Sequence, residues 1–215
     1  RTLYLMMASF HVSETSFNKF GEEIDHQVPL TPMTSSEELP TFDERFGKRN
    51  VKGDMERWFV RTRDLDLRYV NKTQFDIATG SIAQGNETEQ PQQLWFRFKP
   101  QLPHSSLGLH QSVITYLIDM LILEPLLLRH NTSWMDAETL GASLDYAIWF
   151  HRKINANDWL ALSSQSPSAS NSRGLCTASL WNQSGDLVAS ISQEALMRIH
   201  EIKSLPTEDA SSPQP

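Results

Sequence analysis

Alternating apolar and polar positions dominate the last third of the chain and predict four neighbouring β-strands. The alternation, rich in aromatic and branched residues, covers Ser143 to Arg152, Trp159 to Ser166, Arg173 to Trp181 and Leu187 to Arg198. Pro167 is expected to end the second strand, with a loop or bulge over 168–172. Gly185 can take positive φ in a hairpin turn before the fourth strand. Such short connections make neighbouring strands antiparallel.

A different period identifies one long helix. Apolar residues recur every three or four positions from Leu107 to Leu123. Ser105 or Ser106 is placed to cap its start, and Pro125 prevents its continuation. Because apolar side chains extend most of the way around, we expect the helix to be buried. A single buried helix beside several antiparallel strands predicts an α+β fold in which a curved sheet wraps around the helix.

The first half of the chain has weaker patterns. The acidic stretch 11–50, punctuated by prolines, reads as a linker that crosses a surface. The other expected elements are strands at Thr2–Phe10, Met55–Arg63 and Gln93–Phe98, a short helix at Thr41–Phe46, and a long loop with fragments of strand from Asp64 to Gln93. Because an isolated strand is not stable, the first strand must pair with a sheet of this chain or of another.

Composition excludes several classes of function. The 215 residues carry a net charge of −7, which argues against a nucleic-acid-binding surface. A single cysteine allows neither a disulfide framework nor a cysteine-rich metal site, and His104 and His110 do not have the spacing of metal ligands. We therefore expect no metal and no cofactor. No apolar run reaches the ~18 residues of a membrane span, and no secretory signal is evident.

Three polar residues stand out against apolar surroundings. Asp119 lies between two apolar residues of the predicted helix, so it is either paired at an internal site or faces solvent on a thin polar stripe. Gln193 shares a strand face with apolar residues, which fits a site residue or a core amide bonded to backbone. Ser143 opens the first of the four strands. Alternation places Asp145 on the same face, where an ion pair with Arg173 is the simpler interpretation.

Other candidate nucleophiles and bases have ordinary interpretations. Cys176 lies in a strand next to small and apolar residues and reads as a small buried hydrophobe. His151 reads as a packed imidazole, since no Ser/His/Asp grouping and no G-x-S-x-G motif supports a triad. Nothing in the sequence resembles a phosphate-binding loop.

Several motifs resemble one family of enzymes. The sequences SLDYAIWFHR, DWLALSSQSPSASNSRGLC and GDLVASISQEALMR, between Ser143 and His200, resemble the C-terminal half of the acyl-CoA thioesterase II (TesB-like) family. The resemblance continues less closely through GLHQSVITYLIDM back to LWFRF, and LYLMMASF resembles the last strand of that family's first half. It implies the second repeat of a double hot-dog fold, with an antiparallel sheet around a long helix. Together with the change of composition, it predicts a remnant strand of the first repeat at 1–10, a linker at 11–50, a hot-dog thioesterase domain at 51–204 and a disordered tail at 205–215.

The same resemblance implies an activity and a site. The family hydrolyses fatty acyl-CoA to free fatty acid and CoA, and uses a helix aspartate, a Ser or Thr before an L-D-H motif, and the glutamine of a Q-E-G motif. Asp119, Ser143 and Gln193 occupy these positions here and are expected to hold and polarise the attacking water. Tyr146 replaces the histidine of L-D-H, and Ala195 replaces the glycine of Q-E-G. Both differences are interpreted as altered packing or substrate shape.

Two other functions stay open from the sequence. A thioesterase of a fungal secondary-metabolite pathway would use the same chemistry on a polyketide or toxin precursor. A truncated, non-catalytic acyl-binding or assembly subunit is favoured by the absence of a full first repeat. The apolar strand at Thr2–Phe10 predicts a homo-oligomer with an acyl-CoA substrate, or a partner chain that supplies the first repeat. We expect a cytoplasmic or peroxisomal protein, although Ser212–Pro215 is no peroxisomal signal.

Overall fold

The computed structural model describes residues 5–11, 24–46, 63–80, 91–136 and 139–199. Its main feature is a six-stranded antiparallel sheet. The strands are β1 (Leu65–Tyr69), β2 (Gln92–Phe98), β3 (Thr139–Phe150), β4 (Leu160–Ser170), β5 (Arg173–Asn182) and β6 (Leu187–Ile199). They are ordered β1-β2-β4-β5-β6-β3, so β1 and β3 form the two edges.

Helices lie on one face of this sheet. Within the described ranges they are α1 (Phe42–Phe46), α2 (Gln74–Ala78), α3 (Leu107–Leu121) and α4 (Glu124–Arg129). The buried side chains of α3 and α4 pack with alternate strand residues into the main hydrophobic core. Gly174 of β5 lies directly beneath α4, because a Cβ atom at that position would overlap the Leu126 side chain. The glycine therefore allows α4 to approach the sheet closely.

The opposite face of the sheet is covered by residues 24–40, a segment of turns and irregular structure that we call the strap. Two strap carbonyl groups accept hydrogen bonds from indoles of the sheet: Trp95 Nε1 donates to Thr34 O at 2.9 Å, and Trp181 Nε1 donates to Val28 O at 3.3 Å. These indoles belong to a second hydrophobic cluster that includes Trp95, Trp159, Trp181, Leu187 and the strap residues Leu30, Met33 and Leu39.

The strap is also fixed to the turn between β5 and β6. Gln27 Nε2 donates to the Gly185 carbonyl at 2.7 Å, and Gln27 Oε1 accepts from the Leu187 amide at 2.9 Å. An amide side chain that bonds both sides of a hairpin turn holds the segment in one position. Over its described residues, the stretch predicted as a linker thus forms a layer of the fold.

Most of the predicted elements are confirmed. The four C-terminal strands correspond to β3, β4, β5 and β6, and the strand predicted at Gln93–Phe98 is β2. The short helix predicted at Thr41–Phe46 is α1, and the long helix is α3. Gly185 has φ of +83° in the hairpin turn, as that turn requires. The α+β architecture of one long helix against an antiparallel sheet is therefore confirmed.

Two prolines do not act as predicted. Pro167 does not end β4, which continues beyond it across an irregularity in the pairing with β5 between Gln165 and Ser168. A proline is tolerated where the ladder is interrupted in this way. Pro125 does not merely end a helix: α3 already stops at Leu121, and Pro125 lies in the first turn of α4. In a first turn its missing N–H group has no intrahelical partner to lose.

The region from Asp64 to Gln93 contains more structure than a loop with fragments of strand. β1 corresponds to such a fragment, but α2 is a helix that was not predicted. Thr73 begins α2 with a capping box, in which its side chain accepts from the Phe75 amide and the Asp76 side chain accepts from the Thr73 amide. The capping box is visible in the sequence T-Q-F-D, so this helix could have been predicted.

The strand predicted at Thr2–Phe10 is not formed over residues 5–10, which have no regular secondary structure. Their apolar side chains are exposed, with 91% of Met7 and 93% of Phe10 accessible. Without a partner strand the segment has no ladder to join. Residues 2–4, and 55–62 of the strand predicted at Met55–Arg63, lie outside the described residues. The domain boundaries at 1–10, 11–50, 51–204 and 205–215 stay predictions.

Burial of α3 is one-sided, so the prediction of a helix buried nearly all round is wrong. Ile114 and Ile118 are fully buried, whereas 59% of Tyr116 and 40% of Leu109 are exposed. Ser106 is at the N-cap position, but its side chain makes no capping hydrogen bond. The exposed face of α3 borders the edge strand β3, and this is where the polar residues singled out above meet.

By length and composition alone, the stretch Leu107–Arg129 is apolar enough to cross a membrane. The core helix of a soluble protein passes the same test. Here the stretch is broken between α3 and α4, and more than half of its most apolar part is buried against the sheet. Its packing therefore does not imply a membrane span.

Candidate active site

The three predicted site residues meet where α3, β3 and β6 come together. Asp119 lies in the last turn of α3, Ser143 in β3 and Gln193 in β6. Gln193 Nε2 donates to Asp119 Oδ1 at 2.8 Å and to Ser143 Oγ at 2.7 Å. Ser143 Oγ donates to the same Asp119 Oδ1 at 3.2 Å. The pairs are 24, 50 and 74 residues apart along the chain, so only the fold can bring them together.

The carboxylate fixes the direction of every hydrogen bond in this triangle. Because an ionised carboxylate only accepts, Gln193 must turn its NH₂ group toward Asp119, and Ser143 must donate its hydroxyl proton to it. Asp119 Oδ1 receives both bonds. Among the described residues, no protein donor bonds Asp119 Oδ2 and no lysine or arginine pairs with it. That oxygen is therefore free to bind water and accept its proton.

A β-bulge sets the orientation of Ser143. The β3–β6 register shifts between Ser143 and Asp145, so that Leu144 is the extra residue. Ser143 lies opposite the fully buried Ala195, while Asp145 lies opposite Glu194 on the other side of the sheet. The prediction that Asp145 shares the face of Ser143 is therefore wrong, because strict alternation does not hold across a bulge.

The alternative interpretations of the site residues are also resolved. Asp119 and Ser143 are exposed, so Asp119 does face solvent, yet it is bonded to both other residues. Only 1% of Gln193 is exposed, and its amide nitrogen bonds side chains rather than backbone. Its Oε1 is buried, and no described residue donates a hydrogen bond to it. The ion pair is made by Arg173 with Glu194, at 3.2 Å, and not with Asp145.

The other candidate nucleophiles lie outside the triangle. Cys176 is fully buried, opposite Gln193 across the β5–β6 ladder. Burial raises the pKa of its thiol to about 11, so almost none of it is the nucleophilic thiolate at neutral pH. His151 is exposed rather than packed, with its Nε2 2.8 Å from Ser190 Oγ. Burial, followed by the charge of Arg152, lowers the pKa of this imidazole.

Two polar residues were missed from the sequence, Tyr146 beside the site and Glu124 in the core on the β1 side. Tyr146 of β3 lies opposite Gln193, and its ring packs against the main core. Glu124 begins α4 and is 2% exposed; it accepts from the Tyr69 hydroxyl at 2.9 Å and from the Gln74 amide at 2.8 Å. Burial raises the pKa of Glu124 to about 7. A lone glutamate inside the apolar run L-I-L-E-P-L-L-L was the available signal.

A separate cavity of about 210 Å³ lies near the end of β6, with Leu126, Met197 and Ile199 in its lining. Arg173 and His130 also line it, but none of the three site residues does. The cavity and the triangle are therefore distinct features. No three His, Cys, Asp or Glu side chains of the described ranges are grouped as a metal site requires.

Solved structures similar in overall fold to this chain include hot-dog proteins. An acyl-CoA thioesterase II, TesB2, from Mycobacterium marinum matches with a TM-score of 0.59 and 26% identity over 83% of this chain and 59% of its own. A conserved hot-dog protein of unknown function from Alicyclobacillus acidocaldarius matches with a TM-score of 0.57 and 15% identity, over 84% of this chain and 59% of its own. The fold is thus that of hot-dog thioesterases, as expected.

Sequence comparison then defines the family. The profile of the acyl-CoA thioesterase C-terminal domain matches residues 33–197. Human acyl-coenzyme A thioesterase 8 is 31% identical over 93% of this chain, and acyl-CoA thioesterase 2 of Haemophilus influenzae is 24% identical over 93%. The chain belongs to the TesB-like acyl-CoA thioesterase II family, whose C-terminal domain it contains. It spans 60% and 65% of the length of these two relatives.

Proposed function

We propose that the protein is an acyl-CoA thioester hydrolase that converts fatty acyl-CoA and water to free fatty acid and CoA. The observation that carries this proposal is the convergence of Ser143 and Gln193 on one oxygen of Asp119, which leaves the other oxygen open at the surface. The names of the relatives support it and favour it over a secondary-metabolite thioesterase or a non-catalytic subunit. Whether it is cytoplasmic or peroxisomal stays a prediction.

The geometry supports a water mechanism without a covalent enzyme intermediate. Asp119 Oδ2 accepts a proton from water while the water oxygen bonds the thioester carbon, and the carbonyl electrons move to its oxygen. When the carbonyl re-forms, the C–S bond breaks, and the CoA sulfur takes the proton from Asp119. Ser143 and Gln193 hold the carboxylate in place, so little reorganisation is needed during the reaction. A backbone N–H group is the expected donor to the oxyanion.

We also propose that the site is completed by a second hot-dog repeat, from another copy of this chain or from a partner. The described sheet ends at β3, whose twelve residues have no strand on their outer side. An open edge of that length normally pairs or is covered. Apolar side chains around it are accessible, including 49% of Leu144, 55% of Trp149 and 59% of Tyr116. Of the two occupants, we favour a homodimer, because it pairs like repeats.

The proposal is tested by measuring release of free CoA thiol with a thiol reagent, across short, medium and long acyl chains. Light scattering on the same sample gives the oligomeric state. Thiol release by an oligomer supports both parts of the proposal. Release by a stable monomer at micromolar concentration refutes the assembly, and a folded oligomer that releases no thiol from any acyl-CoA refutes the activity. If thiol is released only after a separate first repeat is added, the partner rather than the homodimer completes the site.

A further inference from the structure

Tyr146 is placed next to the site by the bulge in β3. Ser143 and Tyr146 are an odd number of residues apart and would lie on opposite faces of a regular strand. The extra residue at Leu144 brings both onto the inner face, where Tyr146 lies directly opposite Gln193 in the β3–β6 ladder. Two consecutive inward positions of β3 therefore carry Ser143 and Tyr146.

The hydroxyl of Tyr146 bonds the helix that carries Asp119. It donates to the backbone carbonyl of Thr115 at 3.2 Å. Thr115 is four residues before Asp119 in α3, so the same carbonyl accepts the Asp119 amide in the helical pattern. A carbonyl oxygen has two lone pairs and can accept both bonds. One oxygen therefore joins β3 to the peptide group of Asp119.

The surroundings of Tyr146 keep its hydroxyl a donor. Burial raises the pKa of the phenol, and the negative charge of Asp119 raises it further. The hydroxyl thus stays protonated throughout the pH range in which proteins are normally active. Its proton points to the Thr115 carbonyl and not to the carboxylate, so Tyr146 acts on Asp119 through the helix.

We propose that Tyr146 is a positioning residue for thioester hydrolysis, which holds the last turn of α3 so that Asp119 stays within reach of Ser143 and Gln193. This inference rests on the proposed function for its catalytic part only. Its structural part, the bond between β3 and α3, can be measured without any activity. In the family that the sequence resembles, this position is a histidine. From the sequence alone, its replacement by Tyr146 was interpreted as a change of packing or substrate shape. The hydrogen bond gives the tyrosine a specific task.

The test removes one oxygen atom. Tyr146→Phe keeps the ring in the core and deletes the hydroxyl, so kcat for acyl-CoA should fall about fivefold, the value of one neutral hydrogen bond, with KM changed less than about twofold. Amide hydrogen exchange of the last turn of α3 should become faster in the same variant. The matched control is Tyr69→Phe in β1, at the opposite edge of the sheet. It deletes a buried hydroxyl that donates to Glu124 of α4. It should lower the melting temperature without changing kcat.

Each combination of results decides the proposal. Faster exchange together with lower kcat supports it. Faster exchange with unchanged kcat overturns it, since the bond would then be structural only. Lower kcat with unchanged exchange overturns it in favour of a direct role for the hydroxyl. If neither exchange nor kcat changes, the proposal is also overturned, because the hydroxyl then holds nothing. If the wild-type chain hydrolyses no acyl-CoA, the proposed function fails and the positioning role fails with it. The exchange experiment then still reports whether the bond between β3 and α3 exists.

Discussion

The hydrogen-bond triangle predicts a specific departure from additivity. The triangle has three hydrogen bonds. Ser143→Ala removes two of them, those that join Ser143 to Asp119 and to Gln193. Gln193→Ala also removes two, those that join Gln193 to Asp119 and to Ser143. The Ser143–Gln193 contact at 2.7 Å is lost in both single variants. The double variant therefore loses three contacts, whereas the two single variants together lose four. The effects of the two substitutions must overlap by the value of the shared contact.

That contact joins two neutral groups, so its value is about 1 kcal/mol. Converted to a rate, this is about fivefold, since a factor of ten corresponds to about 1.4 kcal/mol. We expect kcat/KM of the double variant to be about fivefold higher than the product of the two single effects predicts. The assay is thiol release for wild type, both single variants and the double variant at one pH.

A second cycle controls for unspecific effects. Ser143→Ala is combined with Tyr69→Phe, because the two residues lie in strands at opposite edges of the sheet. Their effects on the free energy should add to within about 0.3–0.5 kcal/mol. Additive losses in the Ser143–Gln193 cycle as well would refute the triangle as one functional unit. The same cycle on the free energy of unfolding tests the contact independently of catalysis.

Three further predictions concern titratable groups. Asp119→Asn keeps the shape of the carboxylate but removes the proton acceptor, so kcat should fall by about two orders of magnitude or more; Asp145→Asn, the same change on the other face of β3, should leave kcat unchanged, and equal losses would contradict the assignment. Cys176→Ala should turn over almost normally, and iodoacetamide should alkylate the native thiol slowly because its pKa is about 11; an acyl adduct on Cys176 would overturn the water mechanism. Burial raises the pKa of Glu124 from 4.5 to about 7, so the folded state retains a proton that the unfolded state releases between these values. The free energy of unfolding should therefore fall, by roughly 2 to 3 kcal/mol, as the pH rises from about 4.5 to about 7, and Glu124→Gln should abolish that fall in thermal melts.

Periodicity predicted the strands and the long helix, because an element that buries one face repeats apolar residues at its own structural period. It could not predict the bulge at Leu144, since an extra residue leaves the local sequence as strand-like as before. The error on Asp145 follows directly from this. The role of Pro125 was predicted wrongly for a related reason. A proline is found both after the end of a helix and in the first turn of the next one. The packing of Leu126 on Gly174, which holds α4 on the sheet, is not visible in the local sequence.

The site was predictable only in part. Asp119 and Gln193 were recognisable as polar residues on apolar faces, and the family resemblance grouped them with Ser143. Nothing in their spacing could do so, because the contacts span up to 74 residues. Tyr146 has the pattern of an ordinary core aromatic, so its bond to a helix carbonyl could not be read from the sequence. A tyrosine at position 146 could equally have been explained by packing of its ring in the core.

The strap has a practical consequence for the preparation of this domain. A fragment that starts at residue 51, the boundary that composition predicts, would lack residues 24–40 and uncover the indoles of Trp95 and Trp181, which bond to strap carbonyls. It would also free the hairpin turn held by Gln27. A contiguous apolar surface of this kind promotes aggregation. An expression fragment that begins before Gln27 keeps these tryptophans covered, and a shift of their fluorescence to longer wavelength would show at once that the strap has been lost.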